Sequence, residues 1–273
     1  MAVNSEIYSG NLPQLRQDFQ NAIPYPNIVI DSFLEQASSK EIIDSFPEVE
    51  DTFWTNYIHY NEKKHGLTKW EYFPNAIQNL ITELRHPHFI TWLEQVTQIE
   101  NLFPDPDLEG SGLHQTKRNG FLNIHADFTV HPKHKTWKRR VNLLLYLNQD
   151  WNSNWGGDLE LWNADMSKCE KAIAPLANRL VIFATGKETY HGYPEPLKCP
   201  ERVSRKSIAL YYYTKENSPQ SSSTSYQPRP VDGAKKWFIY VDTFLISLYT
   251  KIKGVFGLND DFVSSILKYF NKK

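Results

Sequence analysis

The stretch Gly120-Phe121-Leu122-Asn123-Ile124-His125-Ala126-Asp127 decides how this chain is read. Its apolar alternation suits a strand, where positions i and i+2 share a face, so His125 and Asp127 can reach one ion. The pair alone carries little weight, because with 9 histidines and 31 acidic residues in 273, chance supplies about one His-x-acid pair. A second histidine, His191 in Tyr190-His191-Gly192, sits near the end of another expected strand. A lone strand histidine is more commonly a hydrogen-bonded core residue, so the set matters, not its members. Two histidines and one carboxylate make a facial triad that leaves positions open on Fe(II) for a chelating cosubstrate and for oxygen.

Arg205 and Ser207 share a face of the strand that follows. Arginine offers a planar, permanently charged fork that matches a carboxylate bidentately, and serine adds a hydroxyl. An arginine facing an apolar barrel interior needs an anion, which a dicarboxylate supplies. The plain alternative is a surface arginine, with Arg202 competing for the role. Tyr146 alternates with Asn142, Leu144 and Asn148 on one strand face and is the next pocket candidate, its alternative being an ordinary core tyrosine.

Around these residues, runs of four to nine β-branched and aromatic residues recur from Gly112 onward, punctuated by turns such as Trp155-Gly156-Gly157-Asp158. Strands are expected at Phe121–His125, Arg139–Asn148, Gly157–Trp162, Lys171–Ala174, Leu180–Ala184, Thr189–Tyr193 and Lys206–Thr214. Such spacing predicts an all-β sandwich or barrel in residues 111–216. Both faces of Val141–Leu147 are apolar, as in a central strand covered on two sides. Residues 1–110 read as a supporting region. A short strand in 24–34 leads to a helix over Glu35–Phe46, capped by Asp31 or Ser32, and two helices lie in 75–99, divided at Pro87. The fold class is therefore α+β.

Residues 217–233, rich in serine, read as a polar linker. Residues 234–273 read as a helical tail, with Trp237, Val241, Phe244, Leu245, Leu248, Ile252 and Phe256 at helical intervals and a last short helix from Asn259 to Phe270. That stripe has to be buried against the N-terminal helices, a second copy in a homodimer, or a membrane surface, and docking within the chain is the favoured expectation.

Composition narrows the function. Lysine plus arginine (30) balance aspartate plus glutamate (31) for a net charge of −1, which argues against nucleic acid. Two cysteines, Cys169 and Cys199, with no Asn-x-Ser/Thr sequon and no apolar leader predict a reduced, cytoplasmic setting. No apolar run reaches the ~18 residues a membrane span needs. The loop Thr129–Lys138, with His131, Lys133, His134, Lys135 and Trp137, is expected to border the site, though a charge run is more commonly a solvated loop.

The ordered set of segments Gly120–Asp127, Arg139–Asn148, Trp155–Trp162, Pro175–Phe183, Tyr190–Gly192 and Arg205–Tyr211 resembles the iron(II)- and 2-oxoglutarate-dependent dioxygenase superfamily, in its prolyl 4-hydroxylase-like branch. The resemblance covers about residues 110–214 and implies a double-stranded β-helix (jelly-roll) core with flanking helices. It implies Fe(II) on His125, Asp127 and His191, with 2-oxoglutarate on Arg205, Ser207 and Tyr146. His114, Gln115, Asn123 and Leu159 are further pocket candidates. His114 and Gln115 stand where relatives carry a tyrosine. O2 is the second cosubstrate, and ascorbate is a further cofactor candidate. Because Asp127 fills the place that related halogenases leave to glycine or alanine, the implied reaction is hydroxylation of a C–H bond, with release of succinate and CO2. A peptidyl proline, a sugar or another small molecule would serve as substrate. The alternative is a non-catalytic or non-oxidative metal-binding jelly roll. Replacing any one ligand by alanine is expected to leave the fold largely intact.

Overall fold

The computed structural model describes residues 1–50 and 52–256, with side chains described to Leu245. In chain order the elements are α1 (Ser5–Ser9), α2 (Leu12–Asn21), β1 (Asn27–Ile30), α3 (Gln36–Asp44), β2 (Thr55–His59), β3 (Glu62–Leu67), α4 (Asn75–Leu84), α5 (Pro87–Thr97) and β4 (Phe103–Pro104). They continue with β5 (Gly112–Lys117), β6 (Phe121–Ala126), β7 (Trp137–Tyr146), β8 (Leu159–Trp162), β9 (Cys169–Ile173), β10 (Arg179–Ala184), β11 (Tyr190–Tyr193), β12 (Ser204–Lys215), β13 (Ser225–Tyr226) and α6 (Lys235–Phe256).

The strands form one curled antiparallel sheet in the order β1-β10-β7-β12-β5-β3-β6-β11-β8-β9. Strand β7 shows how the sheet divides inside from outside. Val141, Leu143 and Leu145 are solvent-free and pack on α4 and α5 through Ile77, Leu80, Leu84, Phe89 and Leu93. Their alternates Asn142, Leu144 and Tyr146 face the concave interior, as the period of two requires. Helix α4 presents Ile77, Leu80, Ile81 and Leu84 to the core at i, i+3, i+4 and i+7. Helix α5 opens on Pro87, whose fixed φ and missing N–H suit a first turn.

Three expectations change. Helix α3 begins at Gln36 without a side-chain cap; Asp31 instead accepts from Arg179 Nε at 2.6 Å and Nη2 at 2.9 Å, tying β1 to β10. The supporting region also supplies strands, because the polar hairpin β2–β3 joins the sheet between β5 and β6. The serine-rich segment is strapped down rather than free: Ser222 N donates to Thr129 Oγ1 at 2.9 Å, and β13 pairs with β6.

The last helix docks within the chain, but by the face opposite its apolar stripe. Ile239 is buried with Leu122, Tyr193 and Tyr226, and Asp242 bonds the β2–β3 turn. Trp237, Val241, Phe244 and Leu245 remain exposed among the described residues. The polar face goes inward because Asp242 finds buried donors there. The side chains of Leu248, Ile252 and Phe256, and the expected helix from Asn259, lie outside what is described. No helix among the described residues is long and apolar enough to cross a membrane.

Candidate metal centre and cosubstrate pocket

Strands β6 and β11 are neighbours, and their register sets His191 directly opposite His125. The two imidazole centroids lie 4.5 Å apart. Asp127, just past the end of β6, places Oδ1 3.6 Å from His125 Nε2 and Oδ2 3.4 Å from His191 Nε2. One donor atom from each residue falls within 4.8 Å of the others, and among the described residues this is the one such His/Cys/Asp/Glu cluster.

Each ring is oriented from behind. His125 Nδ1 donates to Asn123 O at 2.9 Å and His191 Nδ1 to Thr189 O at 3.0 Å. These bonds fix the proton on Nδ1 and turn the Nε2 lone pairs toward Asp127, which is the arrangement metal ligation needs. Burial lowers the His191 pKa to about 4, so its ring is neutral at neutral pH. Burial alone would raise the Asp127 carboxyl, but the Arg139 guanidinium beside it holds it well below the usual range. Two imidazole Nε2 atoms and one carboxylate make a donor set that fits a divalent ion such as Fe(II).

Arg139 and Asn142 were not singled out from sequence. Arg139 is fully buried, and its Nη2 donates to Asp127 Oδ2 at 2.9 Å while Nε donates to Asn142 Oδ1 at 2.8 Å. Asn142 Nδ2 completes the triangle on Asp127 Oδ2 at 2.7 Å. Strict alternation would put Arg139 and Asn142 on opposite faces; a register shift between Tyr212 and Tyr213 of β12 brings them to the same one. The guanidinium lies 3.3 Å from the Tyr211 ring centroid, which covers its face. The legible signal was the doublet Arg139-Arg140 on an otherwise apolar strand, one of which had to face inward.

A second cluster lies along β12. Arg205 is buried where Arg202 is exposed. Its Nε donates to Gly157 O at 2.7 Å and its Nη2 to Tyr146 Oη at 3.1 Å. The Tyr193 ring covers it at 4.1 Å from the centroid. Gly157 makes this approach at φ +83, and a Cβ there would stand 3.1 Å from Arg205 Cδ. No carboxylate among the described residues pairs with Arg205, so a buried cation faces the interior in need of an anion. Burial keeps the Tyr146 phenol protonated, its pKa raised.

Ser207 lies two residues along, opposite Tyr146 on β7 and His114 on β5. His114 shares that interior wall, with Nε2 shut from solvent and unpartnered. Leu159 packs with Tyr146 and Leu161 on the other side. Two candidates do not join the pocket. Gln115 turns to the opposite face, where Nε2 donates to Pro47 O at 3.3 Å and Oε1 accepts from Ser204; Thr116 stands opposite Arg205 instead and bonds Tyr193 Oη at 2.9 Å. Asn123 gives its amide to Asn61 Oδ1 at 2.9 Å, away from the ligand atoms.

In the basic loop 129–138 most side chains are already engaged within the chain, Lys135 on the Pro132 carbonyl and Lys138 on Glu216. His131 is buried with Nε2 on Asp105 Oδ2 at 3.3 Å, Lys133 pairs with Glu109 at 2.9 Å, and His134 stacks on Trp137. Sequence reading also missed Tyr226, whose ring lies 5.4 Å from His125.

Comparison with known proteins accords with this geometry. Residues 111–213 match the family described as the 2OG-Fe(II) oxygenase superfamily. The chain is 33% identical over 166 residues to a mouse protein named Prolyl 3-hydroxylase OGFOD1, a match covering 57% of this chain and 28% of the mouse protein. It thus spans under a third of that relative's length. Among solved structures, a Pseudomonas putida prolyl-4-hydroxylase aligns at TM-score 0.54 and 16% identity, covering 74% of this chain and 100% of that one. A Trichoplax adhaerens prolyl hydroxylase aligns at TM-score 0.52 and 19% identity, covering 76% of this chain and 89% of that one. At such identities the structures speak for the fold. Residues 111–213 therefore carry the sequence pattern of the 2OG-Fe(II) oxygenase superfamily, in a chain whose fold is similar to that of the two prolyl hydroxylase structures.

Proposed function

We propose that this chain is an Fe(II)- and 2-oxoglutarate-dependent dioxygenase that hydroxylates an unactivated C–H bond. The observation that carries the reading is the convergence of His125, Asp127 and His191 in a fold that also buries Arg205, which has no acid partner among the described residues. Fe(II) held there supplies oxygen activation coupled to decarboxylation of 2-oxoglutarate to succinate and CO2. The chain's own residues hold and orient. His125 and His191 offer their Nε2 atoms, and Asp127 offers a carboxylate kept ionised by Arg139. Arg205 and the Tyr146 phenol take the far carboxylate of 2-oxoglutarate, with Ser207 on the same wall. With Asp127 occupying the third ligand position, no place is left for a halide, which favours hydroxylation.

The names of the mouse relative and of the two structural neighbours support a prolyl residue of a peptide as substrate, with a small molecule or sugar as the other class. Purified protein would be incubated in air with Fe(II), 2-oxoglutarate and ascorbate, alone and with proline-containing peptides. Succinate formation, and a peptide heavier by one oxygen atom, are the expected results. Succinate no higher than in a His125→Ala control, from protein that binds metal, would favour a non-catalytic or non-oxidative metal-binding jelly roll.

A further inference from the structure

Asn61, in the turn between β2 and β3, is wholly buried and reaches two other parts of the chain, β6 and α6. Its carbonyl accepts from Asn123 N at 2.8 Å, and its Oδ1 accepts from Asn123 Nδ2 at 2.9 Å. Its Nδ2 donates to Asp242 Oδ2 at 2.7 Å and to Ile239 O at 3.2 Å, both on α6. Its own N–H turns to Asp242 Oδ2 at 3.2 Å. Asn123, clamped in this way at both backbone and side chain, uses its carbonyl to accept the Nδ1 proton of His125.

We propose that Asn61 is a positioning residue for the ligand His125, and that Asp242 of the C-terminal helix holds Asn61 in that role. The inference rests on the reading of His125 as a metal ligand. The physical argument is one of satisfied groups. An amide in a dry site has a single orientation when both its ends are bonded, and of the two acceptors on Asn61 Nδ2 the Asp242 carboxylate is the closer and the charged one. That orientation fixes the height of the Asn123 carbonyl, which in turn fixes the tautomer and tilt of His125. His59 reinforces the arrangement, since Nδ1 meets Asp242 Oδ2 at 2.8 Å and Nε2 meets Glu62 Oε1 at 2.9 Å. Helix α6 is thus joined to the metal centre through two asparagines, although it supplies no ligand.

Co(II) binding to the full chain, followed by its visible d–d spectrum, tests this without turnover. Asn61→Ala and Asp242→Ala should each weaken Co(II) binding about ten- to a hundred-fold, as loss of a residue behind a ligand commonly does. Asp242→Asn keeps an oxygen acceptor for the Asn61 amide and should recover most of the affinity. Unfolding curves for each variant identify folded protein, and if Asn61→Ala does not fold, the Asp242 pair decides. Folded Asp242→Ala with wild-type Co(II) affinity and spectrum would overturn the inference while leaving the metal centre intact. Wild-type protein that binds no Co(II), or His125→Ala that binds it unchanged, would overturn the metal-centre reading and this inference with it.

Discussion

Tyr226 stands directly opposite His125 across the β13–β6 pair, with ring centroids 5.4 Å apart. It comes from the serine-rich segment, and burial keeps its phenol protonated, its pKa raised well above the ordinary value. The ring is therefore a packed wall beside a candidate ligand. Tyr226→Ala should cost about 3 kcal/mol of stability, as large-to-small changes in a core do. Tyr226→Phe should cost no more than about 1 kcal/mol and keep metal affinity. Urea unfolding with a parallel Co(II) titration checks both, and equal losses from Phe and Ala would assign the role to the hydroxyl.

The three ligand positions are not equivalent in stability. His125→Ala and His191→Ala should abolish succinate formation and leave a folded protein. Asp127→Ala should abolish it too, but it also strands the buried Arg139 without its carboxylate, a loss of about 3–5 kcal/mol. The Arg139–Asp127 pair sets this position apart from the other two, where the sequence alone predicts a fold left largely intact at all three. Thermal unfolding of the three variants should place Asp127→Ala well below the other two.

Arg205→Ala should raise the 2-oxoglutarate requirement at least about thirty-fold, in line with the roughly 2–5 kcal/mol cost of truncating one partner of a buried charge pair. Arg202→Ala, at an exposed position, should leave it unchanged. Succinate formation against 2-oxoglutarate concentration separates them, and a shift in the Arg202 variant alone would move the pocket by three residues.

Acid should destabilise the metal-free protein in a defined window. Burial, with Lys64 and Arg205 nearby, lowers the His114 pKa from 6.5 to about 3. The unfolded chain then takes up this proton first as pH falls, so the stability that His114 contributes is intact above 6.5 and lost progressively toward about 3. His191, lowered to about 4, adds a loss of the same sign. His114→Gln should flatten the acid limb of stability against pH, and a variant that loses stability in parallel with wild type would show that His114 does not titrate there.

Much of the core was legible because its residues are chemically specialised. Two histidines and an aspartate at strand spacing, together with an arginine opening an apolar strand, form a set suited to holding a metal and an anion and to little else. Val141, Leu143 and Leu145 were legible because alternation follows from backbone geometry. The supports were not. Asn61 and Asp242 are 181 positions apart, and neither stands out in a local window. Arg139 faces Asn142 only because of an irregularity in pairing with β12. The tail misled for a related reason: hydrophobic periodicity says that a face exists, whereas the docked face was chosen by the donors awaiting Asp242. Tyr226 was hidden by composition, since a strand of two residues leaves no pattern.

Strand β6 is bonded to segments from both ends of the chain, β3 before it and β11 and β13 after it. During synthesis on the ribosome, His125 emerges a hundred residues ahead of Tyr226 and further still ahead of Asp242. A nascent chain halted before these residues would present ligands on a strand with one flank bare. Metal retention is therefore expected to improve once residues 225 and 226 have paired with β6. Chains arrested before residue 225 should retain less Co(II) than chains released at full length.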